Sequence, residues 1–195
     1  DRVVRRQFFI VEGDPFNMRE IKAAEDRIRS LGLFSNTSVN ILPGSKKSQV
    51  VIDVEVVEKP TGSLTFGAGY SSQTGLGGII EYGERNFLGR GQSLSFAIKT
   101  GKDDQLYELS FYEPMFLRND LGFGTNLSFK DTEQQNAAYD TEDIRFQPYV
   151  AFPVGEQSKI KIEYTISRTD LSNPESVGSI ITNEVNEGTV TSSSL

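Results

Sequence analysis

Residues 63–71 read Ser63-Leu64-Thr65-Phe66-Gly67-Ala68-Gly69-Tyr70-Ser71. Leu64, Phe66, Ala68 and Tyr70 alternate with Ser63, Thr65, Gly67 and Gly69. A period of two places alternate side chains on opposite faces, so the stretch predicts a strand with one apolar face. The same period continues downstream through Leu76, Ile80 and Tyr82, then Leu94, Phe96 and Ile98, then Tyr107, Leu109 and Phe111. It returns in Leu121, Phe123, Leu127 and Phe129, in Ile144, Phe146, Val150 and Phe152, and in Ile160, Ile162, Tyr164 and Ile166. The pattern predicts seven antiparallel strands joined as successive hairpins.

Alternation alone fits a soluble sandwich with one face inward. Three features favour strands of a membrane barrel. Several strands are about 10 residues long, the length that crosses a bilayer at a tilt. The polar face mixes Gly, Ser and Asn with charges of both signs, as a wet lumen would. The connections also split by parity. Those at 84–91, 113–120 and 153–158 are compact, whereas 131–143 and 169–190 are long and polar, as on the two rims of outer-membrane barrels. In a barrel, Leu94, Phe96, Ile98, Leu109, Phe111, Leu127, Phe129, Phe146, Val150, Ile160 and Ile162 meet lipid. Glu81, Lys99, Glu108, Lys130, Arg145, Lys161 and Glu163 then face the lumen and are expected to pair across strands. Tyr70, Tyr82, Phe87, Phe116 and Tyr164 lie near strand ends, where barrels carry aromatic belts. Lipid offers no hydrogen bonds, so a barrel must close. Seven strands are odd and too few to close, and the chain ends in Ser192-Ser193-Ser194-Leu195 rather than in a finished strand, so a section of a larger barrel is expected.

Ahead of Lys59-Pro60-Thr61-Gly62 the period differs. Val4, Phe8 and Val11 suit a short amphipathic helix over 3–11, with a strand as the competing reading because Val3, Phe9 and Ile10 blur the stripe. Asn17 can cap a second helix with Glu20 three residues on; Ile21, Ala24, Ile28 and Leu31 form its stripe, and Gly32 stops it. A hairpin follows, from Val39-Asn40-Ile41-Leu42 through a Pro43-Gly44-Ser45 turn to residues 49–58. About 60 residues of α+β structure are few for a complete core.

Composition removes much chemistry. The 195 residues include no Cys, His or Trp, which excludes thiol nucleophiles, disulfides, Cys/His zinc sites and histidine-based triads. With no nucleophile–base constellation to build, an enzyme is not expected. Residues 1–60 carry a net charge of +1 and residues 61–195 a net of −8, making the total of −7. The acidic second part argues against nucleic-acid binding. There is no run of 18 apolar residues, hence no transmembrane helix, and no N-terminal signal segment is legible. Gly67-Ala68-Gly69 lacks the third glycine and following helix of a dinucleotide site. Asp103-Asp104 reads as a loop charge pair, and Asp140, Glu142 and Asp143 as an acidic loop with divalent-ion binding as the alternative. No cofactor is implied.

Several motifs, taken in order, resemble the BamA family of outer-membrane protein assembly factors, its alphaproteobacterial members in particular. Glu12-Gly13-Asp14-Pro15-Phe16-Asn17 and Arg29-Ser30-Leu31-Gly32-Leu33-Phe34 resemble the last POTRA repeat. Val54-Glu55-Val56-Val57-Glu58-Lys59-Pro60-Thr61-Gly62 resembles its closing strand and exit. Phe66-Gly67-Ala68-Gly69-Tyr70-Ser71-Ser72 is similar to the first barrel strand. Glu84-Arg85-Asn86-Phe87-Leu88-Gly89-Arg90-Gly91 and Glu113-Pro114-Met115-Phe116-Leu117 are similar to the first two periplasmic turns.

The resemblance implies a partial POTRA module over residues 1–60, lacking its opening strand, and the first strands of a transmembrane β-barrel over 61–195. It implies a bacterial outer-membrane location with the N-terminal module in the periplasm. The implied activity is ATP-independent folding and insertion of nascent outer-membrane proteins. The first barrel strand, carrying Leu64, Thr65, Phe66, Gly67, Ala68, Gly69 and Tyr70, would act as a lateral gate that templates an incoming strand. Glycines that merely relieve crowding inside a barrel are the plainer reading of Gly67 and Gly69. Implied partners are client barrels, the lipid bilayer and lipoproteins of the BamD kind, with Arg5 and Glu12 where such lipoprotein contacts fall; ordinary solvated charges are the alternative. A protein-translocation pore of the two-partner-secretion branch is the alternative function. A passive porin is disfavoured by the turn at residues 29–34.

Overall fold

A computed structural model of the chain describes residues 2–72, 75–117, 121–133, 140–154, 158–172 and 189–195. The chain divides into two units, Asp1–Thr61 together with Arg85–Gly91, and Gly62–Glu84 together with Gln92–Leu195.

The first unit holds α1 (Arg2–Arg5), α2 (Met18–Ser30), β1 (Phe34–Pro43) and β2 (Val50–Glu58). Asn17 caps α2, its Oδ1 accepting from the Arg19 N–H at 3.1 Å, which satisfies one donor that the first helical turn leaves free. The helix ends at Gly32, whose φ of 66° suits a residue without a Cβ. Ile21, Ala24 and Ile28 are buried along one stripe of α2, and the helix packs on β1. With Val3, Val4 and Leu33 they are the buried apolar side chains of this unit. Burial of a side chain such as Ile28 contributes about 1.5–3 kcal/mol. β1 and β2 pair antiparallel from Phe34↔Glu58 to Pro43↔Val50, with a bulge between Phe34 and Asn36.

The helix expected over 3–11 is cut short: α1 stops at Arg5 and no strand replaces it. The reason lies in two side chains. A helix would bond the Val11 N–H to the Gln7 carbonyl. Instead the Gln7 carbonyl accepts from Arg27 Nε at 2.9 Å, and the Val11 N–H donates to Asp14 Oδ2 at 2.8 Å. Both groups are satisfied without a further helical turn. In the same unit, the turn at 86–91 closes when the Gly91 N–H donates to Asn86 Oδ1 at 2.8 Å.

The second unit is one antiparallel sheet of nine strands. Its members are β3 (Gly62–Ser71), β4 (Gly75–Phe87), β5 (Gln92–Thr100), β6 (Asp104–Phe116), β7 (Leu121–Thr132), β8 (Asp140–Pro153), β9 (Lys159–Glu163), β10 (Thr165–Ser172) and β11 (Val190–Ser194). Neighbours follow chain order from β3 to β8. Both β9 and β10 lie along β8, and β11 pairs with β10. The seven expected strands are all present, β9 and β10 together making the seventh. An eighth pass, β11, lies in the serine-rich end that was expected to hold no strand. Ser192, Ser193 and Ser194 pair with Ser167, Ile166 and Thr165; a Ser/Thr run carries no apolar alternation by which to see it. Strands also reach into predicted connections, since β8 starts at Asp140 and β10 runs to Ser172. The long connections otherwise fall largely outside the described residues, at 134–139 and 173–188.

Among the described residues, all six buried apolar side chains belong to the first unit. Among the described residues, the nine-stranded sheet buries no large apolar side chain, and its two buried residues are Gly122 and Gly124. A sandwich of this size would bury alternate residues of every strand. The sandwich reading fails on this point.

Candidate functional site

Cross-strand register decides which side chains share a face. Phe96 stands opposite Leu109, Leu109 opposite Leu127, Leu127 opposite Phe146, and Phe146 opposite Ile166. The rows on either side are Leu94–Phe111 and Ile98–Tyr107–Phe129–Ile144, and Phe123–Val150–Ile162 continues the face. With Ile160 opposite Phe152, every residue expected to meet lipid lies on one face. Along β8 that face runs Ile144, Phe146, Pro148, Val150 and Phe152. Eight residue steps at ~3.4 Å give roughly 27 Å along the strand, or about 20 Å across a layer at a ~40° tilt. The apolar run then stops at a row of carboxylates, Asp131 opposite Glu142 and Glu142 opposite Asp170. No helix among the described residues is long and apolar enough to cross a membrane.

The opposite face is polar. Lys99 of β5 reaches Glu81 of β4 at 3.7 Å and Glu108 of β6 at 4.0 Å, bridging three strands. Ser63, Thr65, Ser95 and Ser110 line a shallow concavity with these two glutamates. The other expected cross-strand pairs take a different form. Arg145 pairs with Asp143 at 3.1 Å, and Lys161 with Glu163, each two residues along its own strand. Residues two apart share a face, so a long cation meets its neighbour without crossing the ladder. Asp143 also accepts from Thr169 Oγ1 at 2.9 Å. Asp103 and Asp104 lie at a turn, where the Gly101 N–H bonds the Asp104 carbonyl. The Tyr112 and Tyr149 rings stack with centroids 6.1 Å apart and 16° between planes. They cover Gly122 and Gly124, where a Cβ would strike the rings. Sequence reading missed this pair, since the signal is spread over three strands.

β3 forms one border of the sheet. It pairs with β4 along its whole length, from Gly62↔Glu84 to Ser71↔Gly75, and among the described residues with no other strand. All ten of its residues are exposed, Phe66 to 80% and Tyr70 to 78%. In an antiparallel ladder alternate residues point both backbone groups away from the partner, so alternate residues of β3 direct their N–H and C=O groups away from β4. The hold on β4 is uneven. Leu64 faces Tyr82 and Phe66 faces Ile80, but Ala68 faces Gly78 and Gly69 faces Gly77. Cross-strand side-chain pairs stabilise a sheet by roughly 0.2–1 kcal/mol each; the rows at Ala68 and Gly69 have none, and pairing of side chains resumes only where Tyr70 faces Leu76. A Cβ at Gly69 would meet nothing within 4 Å.

In the first unit, Arg5 and Glu12 are brought together. Their side chains lie 3.8 Å apart and are 74% and 95% exposed. Such an exposed pair adds little to stability, and it leaves both charges at the surface.

Residues 86–195 match the family model described as the Omp85 superfamily domain, and residues 1–59 match that of POTRA, described as a surface antigen variable number repeat. The outer membrane protein assembly factor BamA of Nitratidesulfovibrio vulgaris is 34% identical over 178 residues, covering 88% of this chain and 21% of that protein. BamA of Neisseria meningitidis serogroup B is 27% identical, covering 71% of this chain and 17% of its own length. The chloroplastic outer envelope protein 80 of Arabidopsis thaliana is 26% identical over 117 residues, 57% of this chain and 16% of that protein. The chain thus spans about a fifth of the length of the curated relatives it matches. The crystal structure of BamA from Haemophilus ducreyi lacking POTRA domains 1-3 superposes with a TM-score of 0.80 at 23% identity, over 100% of this chain and 40% of that one.

Proposed function

This chain belongs to the Omp85 superfamily, and on that premise we propose that it is a section of an outer-membrane β-barrel assembly factor that folds and inserts client barrels along β3. Residues 1–60 are then the last POTRA repeat, on the periplasmic side. Residues 61–195 are the N-terminal part of the barrel in a bacterial outer membrane. The apolar face through Phe96, Leu109, Leu127 and Phe146 meets lipid, and the face through Lys99, Glu108 and Arg145 lines a wet interior.

The observation that carries the reading is β3, a border strand among the described residues, whose tie to β4 is weakened where Ala68 meets Gly78 and Gly69 meets Gly77. Such an edge templates an incoming strand through backbone hydrogen bonds. Closing the client's ladder and moving its apolar face into lipid are both downhill, so the step needs no nucleotide. Arg5 and Glu12, exposed and adjacent, supply a charged surface suited to a periplasmic lipoprotein partner of the BamD kind. The partner would exchange their mutual ion pair for pairs with its own charges.

The test uses the full-length protein in liposomes, with an unfolded outer-membrane barrel as client. Assembly activity predicts faster client folding into protein-bearing liposomes, and cysteine crosslinks between position 66 or 68 and client strands during folding. Passage of an unfolded polypeptide into the lumen, with no gain in client folding, would favour a secretion pore instead.

A further inference from the structure

Pro148 stands where sheets seldom tolerate proline. β8 is an interior strand, with β7 on one side and β9 and β10 on the other. Proline has no N–H to give a ladder and is normally confined to edges and bulges. Against β7 it does no damage, because the register runs unbroken from Gly122↔Ala151 to Thr132↔Thr141, with Pro148 opposite Thr125. The damage is on the other side. The Pro148 carbonyl accepts from the Tyr164 N–H at 3.0 Å. In an antiparallel ladder a residue directs both backbone groups to the same neighbour, so position 148 has no N–H to return to the Tyr164 carbonyl. At Tyr164 the strand is interrupted, with β9 before it and β10 after it.

The register nevertheless does not slip. Glu163 faces Tyr149 before the break, and Ile166 faces Phe146 after it, the positions one unbroken strand would occupy. Side chains on the polar face account for this. Gln147 Nε2 donates to Glu163 Oε1 at 3.3 Å and to Thr165 Oγ1 at 3.2 Å, the residues immediately before and after Tyr164. Tyr149 sits over Gly124 of β7, in space a Cβ would fill. Lys161 Nζ lies 4.2 Å from the Tyr149 ring centroid and pairs with Glu163. Gln147 and Tyr149 thus hold the far strand from both sides of the proline.

We propose that Gln147-Pro148-Tyr149 is a slip-proof hinge in the barrel wall: proline frees one inter-strand bond so that β9 can swing against β10, and the side chains of Gln147 and Tyr149 keep the register. The hinge is a property of the wall and does not depend on the assembly activity proposed above.

Amide hydrogen exchange on the full-length protein in lipid nanodiscs tests it, comparing peptides over 159–166 with peptides over 93–100 of β5. One inter-strand bond corresponds to about a tenfold change in local opening. Gln147→Ala speeds exchange of 159–166 by about that factor and leaves 93–100 unchanged, whereas Pro148→Val, which restores the N–H, slows it by a similar factor. The two are coupled: in the Pro148→Val background, loss of Gln147 changes exchange by less than about threefold. The proposal is overturned if Gln147→Ala leaves 159–166 unaltered, or if its effect is the same in both backgrounds. Pro148→Val alone, leaving exchange of 159–166 unslowed, would also overturn it. Client folding rates play no part in the readout, so failure here and failure of the assembly reading are distinguishable.

Discussion

Gly69 of β3 stands directly opposite Gly77 of β4. At that row the border strand is held by backbone bonds with no side-chain contact to reinforce them. A substitution that adds a side chain here strengthens the edge without a clash, because the space above Gly69 is open.

Gly69→Val is therefore expected to raise the strand preference of β3 by up to about 1 kcal/mol. Client folding into liposomes should slow by roughly fivefold, since that free energy must be surrendered whenever β3 re-pairs. Gly67→Val should act in the same direction but more weakly, because a Cβ there comes 3.2 Å from Ile79 Cγ2. An unchanged folding rate in the Gly69 variant would remove β3 from the mechanism.

At Gly124 the expected effect is on stability. An added methyl meets the Tyr149 ring, and overpacking of this kind costs about 1–3 kcal/mol. Gly124→Ala should lower the unfolding midpoint in urea, measured in detergent by the gel shift between folded and unfolded forms. Combining it with Tyr149→Ser should recover most of the loss. If the double variant is no better than Gly124→Ala, the ring is not what the methyl strikes.

Among the described residues, Ile28 is the largest fully buried side chain. Ile28→Ala should cost about 2–5 kcal/mol through lost burial and the cavity left behind. The loss should appear as protease sensitivity of residues 18–58 in the full-length protein, with the sheet's resistance unchanged. Equal sensitivity of both parts would mean that the two units unfold as one.

Arg27 both donates to the Gln7 carbonyl and lies 4.1 Å from the Phe9 ring centroid. Arg27→Lys keeps the charge and loses the planar stack and the fixed Nε donor. A loss of about 1 kcal/mol is expected, with faster amide exchange at residues 7–11. Unaltered exchange there would show that the backbone of that segment is held by other contacts.

The strands were legible because a face that must be apolar writes a period of two into Leu94–Ile98 or Ile160–Ile166, and β3 could be read from one line of sequence. The cap at Asn17 and the stop at Gly32 were legible for a similar reason, since both are local chemistry. What escaped reading was settled by partners distant in sequence. The helix over 3–11 failed because Arg27, twenty residues away, claimed the Gln7 carbonyl. β11 was hidden because its pairing to β10 needs only backbone groups, and serine supplies those as well as valine. The pairing of Ala68 with Gly78 and of Gly69 with Gly77 emerged only from register. Arg5 and Glu12 could be picked out as charges, but their mutual contact could not.

Among the described residues the sheet buries no large apolar side chain of its own, so with its apolar face in lipid, as proposed, the solvent is the missing half of its core. Its folding free energy then depends on the depth and fluidity of the surrounding hydrocarbon as much as on its residues. Shortening the acyl chains below the roughly 20 Å of greasy wall leaves the rows at Phe152 or Ile144 wet, at a cost that grows with each ångström of mismatch.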